Sequence, residues 1–360
     1  MKKKLCILSL ILIFCLNQCT YDNATIQPIE RSVKKLKISI DPRIELLSTI
    51  QLMSDYHIVN KDAPYSKSIK EHFKSFSSHE AVRLTDSLNQ KYGFSYDAPL
   101  AAMMHLSALP ELEVKIDFSD YLLRRSGRGD HLEQYRKSIK QFSEASSFEA
   151  FWNSERPFYN QILDLIVADM NERDLVKALE EYFNESQESY NIVVLPLYFG
   201  GFAALTPGTN EKKNVYAFLP TLDIKDGTPY IRANTLVAYA WHEFGHSFVN
   251  PLCDKYADKI ALTDKLYEPI EETMRRQAYD QWISCVGEHI VRAATIRLYD
   301  LQKNTLAVEE LLAMELNNGF IYIEPIIEKL KEYENQKEET NITFTEFFTE
   351  LLTVFDDLLK

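Results

Sequence analysis

Apolar residues recur at helical spacing through most of the chain. After Asp41-Pro42, the positions Ile44, Leu47, Ile50 and Leu52 form one stripe. Asp41 can accept from the first N–H groups, and Pro42 suits the first helical position. Residues 78–88 and 158–167 repeat the same period. The texture changes near Tyr190. Residues 191–198 are short, β-branched and stopped by Gly200-Gly201, and 214–219 and 229–232 are further strand candidates separated by the Asp226-Gly227 turn signal. Helical spacing returns over 236–249, with Asn234 and Thr235 as caps and Pro251 as the stop. Residues 270–301 read as one long helix. Two or three more helices complete the chain, with Pro325 starting or kinking one of them. The expected fold is α+β: mainly helical, with a small sheet immediately before the helix of 236–249.

The first residues have a different character. Lys2, Lys3 and Lys4 precede a short apolar run that ends near Leu16, too brief to span a bilayer comfortably, so 1–18 reads as an export signal. Leu16-Asn-Gln-Cys19 resembles a bacterial lipobox, which would make Cys19 a lipidation site and place the protein in the cell envelope by a membrane anchor. Gln18 stands where that pattern prefers a small residue. The expected order is signal 1–18, polar tether 19–40, helical region 41–189, a region 190–300 that holds the strand candidates and the helix of 236–249, and helical C-terminal region 301–360.

Only ten glycines in 360 residues suit a helical protein, and 46% apolar residues suffice for a core without a disulfide scaffold. Removing residues 1–18 takes away three lysines and no acid, so the formal charge of −13 becomes −16. Such a chain has no electrostatic footprint for nucleic acid or anionic lipid. Of the five cysteines, Cys6, Cys15 and Cys19 belong to the signal and its lipobox; Cys253 and Cys285 remain, either as a disulfide or as two buried thiols.

The chemistry concentrates in His242-Glu-Phe-Gly-His246, an HExxH motif. On a helix the two histidines share a face and can direct ring nitrogens at one metal ion, for which zinc is the expected cofactor. Glu243, one residue along, can reach the open water position and act as general base. Gly245 is costly inside a helix, by about 1 kcal/mol, and implies a close neighbour. A catalytic zinc site takes a third protein ligand. Val249 and Leu252 exclude the HExxHxxGxxH pattern, and Glu288, 42 residues after His246, is the candidate from a second helix.

HExxH with a distant glutamate resembles the gluzincin branch of the zincin metallopeptidases over about 190–300. That resemblance implies zinc ligands His242, His246 and Glu288, with Glu243 activating water. Arg292 departs from the thermolysin-like pattern, which has an acid four residues after the ligand glutamate. Together with Asp41-Pro-Arg-Ile-Glu and Glu288-His-Ile-Val-Arg, the motif is also similar to an exported bacterial family catalogued as a domain of unknown function and expected to be peptidases. Secondary candidates are Asn250 and Asp254 beside the ligands, His289 as a transition-state group or polar surface, and Tyr322 as an oxyanion donor or core aromatic. Residues 214–219 are either an edge strand that holds an extended peptide or a structural strand. The expected activity is zinc-dependent hydrolysis of peptide or protein substrates. The alternatives are a non-catalytic envelope module binding peptide, glycan or protein, and a zinc hydrolase of another amide or ester.

Overall fold

The computed structural model describes residues 25–209 and 211–360. The expected export signal and Cys19 therefore lie outside the described residues. Seven strands occur among them: β1 (Ile29–Val33), β2 (Leu36–Ile40), β3 (Ser189–Leu195), β4 (Phe202–Pro207), β5 (Lys213–Pro220), β6 (Asp223–Lys225) and β7 (Thr228–Tyr230). The main sheet has the order β1-β2-β3-β5-β4, and β6-β7 is a separate hairpin. Strand β3 runs parallel to both β2 and β5, while β1 and β4 run antiparallel to their neighbours.

Three expectations change here. The tether read over 19–40 contains β1 and β2, joined by a turn in which Lys34 has φ 55°. The alternating residues Leu36, Ile38 and Ile40 are buried. The strand of 214–219 is interior, not an edge, because β5 pairs with β3 on one side and β4 on the other. The hairpin strand β7 covers the 229–232 candidate only in part and does not join the main sheet.

Asp41 and Pro42 start the helix Pro42–Leu52 as their chemistry suggests: the Asp41 carboxylate accepts the Arg43 N–H at 2.8 Å. Helices between Pro42 and Phe183 form the long crossover from β2 to β3, and Phe148–Met170 packs on β1 and β2. On this crossover Glu45 is a buried acid. Its Oε2 accepts from the Tyr65 hydroxyl at 2.8 Å, while its Oε1 has no partner. Burial pushes this carboxyl from 4.5 up to about 7, although hydrogen bonds with Tyr65 and Tyr159 work the other way. An acid whose pKa is higher in the folded state holds its proton more tightly there. Its stabilising contribution is complete below about pH 4.5 and is lost as pH rises through about 7, on the order of 3 kcal/mol in all. Urea unfolding should therefore show a fall in stability between pH 5 and pH 8 that Glu45→Gln flattens. An unchanged slope in the variant would assign the pH dependence to other groups.

The motif helix spans Ala233–Lys255 and packs against β5 and β4. It is longer than the spacing of Asn234 and Pro251 suggests. Neither Asn234 nor Thr235 caps it; the Asp169 carboxylate, from another helix, accepts the Ala233 N–H at 2.6 Å. Pro251 lies inside it. Proline cannot donate to the carbonyl four residues earlier, and that carbonyl, of Ser247, accepts from the Gln187 side chain at 3.3 Å instead. The expected long helix of 270–301 is two, Glu271–Arg276 and Trp282–Leu301, separated by a break in which Ala278 has φ 67°. The helices Thr305–Asn317, Ile323–Thr340, Phe344–Leu351 and Thr353–Leu358 complete the chain.

Motif helix and glutamate helix (Trp282–Leu301) cross where glycines remove side chains. A Cβ on Gly245 would sit 3.2 Å from Val291 Cγ1, so the close neighbour implied by this glycine is the glutamate helix. A Cβ on Gly287 would meet Asn250 Oδ1 at 3.4 Å and Cys253 Sγ at 3.7 Å, which are ordinary contacts. Alanine at either site gains about 1 kcal/mol of helix propensity, but overpacking costs about 1–3 kcal/mol. Gly245→Ala should consequently lower the melting temperature, and Val291→Ala should restore part of the loss. Gly287→Ala should leave it unchanged or raise it. Thermal unfolding of the three variants checks the order.

Candidate metal centre

Helical spacing places His242 and His246 one turn apart, and their Nε2 atoms approach to 3.2 Å. Glu288, on the crossing helix, brings Oε2 to 3.6 Å from His242 Nε2 and Oε1 to 3.4 Å from His246 Nε2. One ligand atom from each residue lies within 4.8 Å of the others. Donor atoms around one small divalent ion at about 2.1 Å stand roughly 3.4 Å apart, so the residues present fit such an ion. Burial drives the His242 imidazole well below its usual range, against the pull of Glu288, and so leaves a neutral ring with a lone pair to donate.

The neighbours orient these donors. His246 Nδ1 lies 3.1 Å from Asn250 Oδ1; because a carbonyl oxygen only accepts, the ring proton sits on Nδ1 and Nε2 is left bare. Asn250 thus joins the site. Asp254 is exposed and does not. Arg292 reaches back one helical turn and grips Glu288 Oε2 with Nη2 at 3.0 Å and Nε at 3.2 Å. Its other nitrogen binds Glu315 at 2.6 Å, and its guanidinium lies 4.1 Å over the Phe320 ring. Burial opposes ionisation of Glu288, but attraction to the His246, Arg292 and His242 side chains outweighs it and holds the carboxyl at about 2. Arg292 is the one of these that needs no proton from solution.

Glu243 points into the adjoining cleft, which it lines together with His242, Tyr239, Tyr279 and Arg292. It is 7% exposed, and burial followed by the nearby Glu288 charge pushes its carboxyl up to about 8. A divalent cation among the ligands would lower it again by direct attraction. Gly201, just before β4, stands over this carboxylate: a Cβ there would lie 3.4 Å from Glu243 Oε1 and 3.0 Å from the Tyr239 ring. The absent side chain keeps the approach to Glu243 open.

Two other candidates lie elsewhere. His289 is wholly buried, with Nδ1 2.7 Å from the Cys285 carbonyl and its ring against Phe320 and Tyr322. One residue along a helix is a turn of about 100°, which carries it away from the cleft, and burial lowers it to about 4. Tyr322 spends its hydroxyl on the Leu266 carbonyl at 2.8 Å and packs edge-on to Trp282. Both are parts of the core. Cys253 and Cys285 are free thiols, pushed up to about 12 by burial.

Sequence reading misses Tyr279, Glu315 and the part Arg292 plays. Only Arg292 leaves a local signal, since an acid followed four residues later by a base pairs on one helix face. Tyr279 comes from the break between Glu271–Arg276 and Trp282–Leu301, where its hydroxyl lies 3.4 Å from Arg292 Nη2.

Two histidines from one helix and a glutamate from a helix crossing it, in a mainly helical fold with a small mixed sheet, define a zincin-like arrangement. The sequence profile of the family described as Domain of unknown function (DUF4932) matches residues 36–354, and the chain belongs to that family. No curated protein and no solved structure matches the chain.

Proposed function

We propose that this protein is a zinc-dependent hydrolase of peptide bonds. The observation that carries the reading is Glu243: a buried carboxylate beside a His-His-Glu donor set, facing an open cleft. A metal-binding scaffold has no use for a base in that place. His242, His246 and Glu288 hold the ion, and two imidazoles with one carboxylate suit zinc. Bound zinc supplies Lewis acidity and lowers the pKa of water. Glu243 takes the proton of the attacking water and returns it to the leaving amine.

Tyr279 is the residue placed to donate to the scissile carbonyl oxygen. Its oxygen faces an Arg292 N–H, which leaves its own proton for the cleft, and burial followed by the Glu288 charge raises its pKa and keeps that proton in place. Strand β4, the sheet edge beside the motif helix, offers main-chain pairing to an extended substrate in the role considered for residues 214–219. The purified protein is expected to hold one zinc per chain and to cleave a mixed peptide library. A chelator should abolish the cleavage and added zinc should restore it. Metal analysis finding no zinc, or cleavage indifferent to chelation, would overturn the reading.

Export and anchoring at Cys19 belong to the same proposal. They rest on the basic residues, the apolar run and the cysteine that follows it; among the described residues no helix is long and apolar enough to cross a membrane. Metabolic labelling with a fatty-acid analogue should tag the wild type and not Cys19→Ala.

A further inference from the structure

The cleft at the metal centre has a volume of about 680 Å³ and runs well past the ligands. Thr235, Ala238 and His242 form a strip along one wall, on the motif helix; Ala307, Leu311 and Met314 form a strip along another, on Thr305–Asn317. From Thr235 to His242 the wall is about 10 Å long at 1.5 Å per residue. That length accommodates about three extended residues at roughly 3.3 Å each.

The helix Thr305–Asn317 decides what those residues are. Its sequence, TLAVEELLAMELN, is rich in apolar side chains, yet Glu315 is its only buried residue. Leu306 and Met314 are 66% and 46% exposed, and Leu311 is half-buried. A surface helix ordinarily turns its apolar stripe to the core; here Val308, Leu312 and Leu316 do so as half-buried side chains, while Ala307, Leu311 and Met314 line the cleft. The wall is fixed in place, because Glu315 pairs with Arg292 at 2.6 Å and Arg292 in turn grips Glu288.

Charge narrows the ligand further. Arg292, the basic residue of this cleft, is occupied by Glu288 and Glu315. Glu310 also lines the cleft and makes no ion pair with another described residue. An acidic side chain would meet an apolar wall and a carboxylate, whereas an aliphatic or aromatic one would exchange water for Leu311 and Met314.

We propose that this wall is a subsite for a bulky, uncharged apolar side chain of the substrate, next to the bond that is cut, and that Leu311 and Met314 set the preference. The inference rests on the peptide-hydrolase reading. Burying one such side chain corresponds to a preference of about 10- to 100-fold.

The test is digestion of a diverse peptide library by the zinc-loaded protein, with cut sites mapped by mass spectrometry. Expected are Leu, Ile, Met or Phe enriched about 10-fold or more over Asp and Glu at one position flanking the cut. Leu311→Glu and Met314→Glu should erase that enrichment with zinc content unchanged; Met314 is exposed enough for its variant to fold if the other does not. Cleavage without apolar enrichment, or a variant with the wild-type profile, overturns the subsite while leaving the hydrolase reading intact. If zinc-loaded wild type cuts nothing, the hydrolase reading falls, and the subsite is read through binding of a fluorescent leucine-rich peptide. Weakening of about 10-fold in Met314→Glu then supports the apolar subsite, and equal binding overturns it.

Discussion

Glu243→Gln is expected to cut peptide hydrolysis by a factor on the order of 100 or more while leaving zinc content and melting temperature close to wild type. The amide has the same shape but cannot take a proton, and the three ligand atoms belong to other residues. Folding should tolerate the change. The native carboxyl is already buried, pushed up to about 8 by burial and then by Glu288, so a neutral amide relieves a desolvation cost where the metal is absent. Activity, zinc content and thermal unfolding must be measured on the same preparations. Equal rates in wild type and variant would remove Glu243 as the base. Loss of zinc in parallel with activity would make the residue structural instead.

The donor set was legible in two ways. The helical repeat alone puts two histidines one turn apart, whereas Glu288 is reached through the distant glutamate of the gluzincin-type pattern the motif resembles; Gly245 implies a close neighbour without saying which. What the sequence withholds depends on distant partners. Strands β1 and β2 carry a period of two, but each is five residues long, and β2 pairs with β3 some 150 residues later. Without that partner their short alternation looks like a tether. Strand β4 follows two glycines, ends in Pro207 and shows no alternation in Phe-Ala-Ala-Leu-Thr-Pro, so nothing marks it.

Punctuation misled in both directions. Pro251 reads as a stop, yet Gln187 accepts the role of the missing N–H and the helix continues to Lys255. No proline or glycine marks the break after Arg276, where Ala278 takes a left-handed conformation and Tyr279 is delivered to the site. His289 and Tyr322 were plausible by residue type alone. Direction on the helix excludes the first and a hydrogen bond to Leu266 the second. Where the thermolysin-like pattern has an acid four residues after the ligand glutamate, this chain has Arg292, which reverses the sign of the charge and pairs with the glutamate itself.

That reversal sets the second large effect. Glu288→Ala should weaken zinc binding by on the order of 100-fold or more, beyond the roughly 10- to 100-fold typical of residues that only orient a ligand. The variant should still fold, because Arg292 keeps Glu315 at 2.6 Å and is not left as a buried unpaired cation. Glu315→Gln should weaken zinc by about 10-fold although Glu315 is not one of the three ligands. Two effects act in the same direction there: Arg292 loses its second carboxylate and holds Glu288 harder, and its charge is no longer balanced beside a dication. Competition against a chromophoric chelator measures both variants, with thermal unfolding of the metal-free proteins as the control. Full zinc occupancy in Glu288→Ala would remove Glu288 as the third ligand. Wild-type affinity in Glu315→Gln would show that Arg292 holds Glu288 without regard to its own counter-charge.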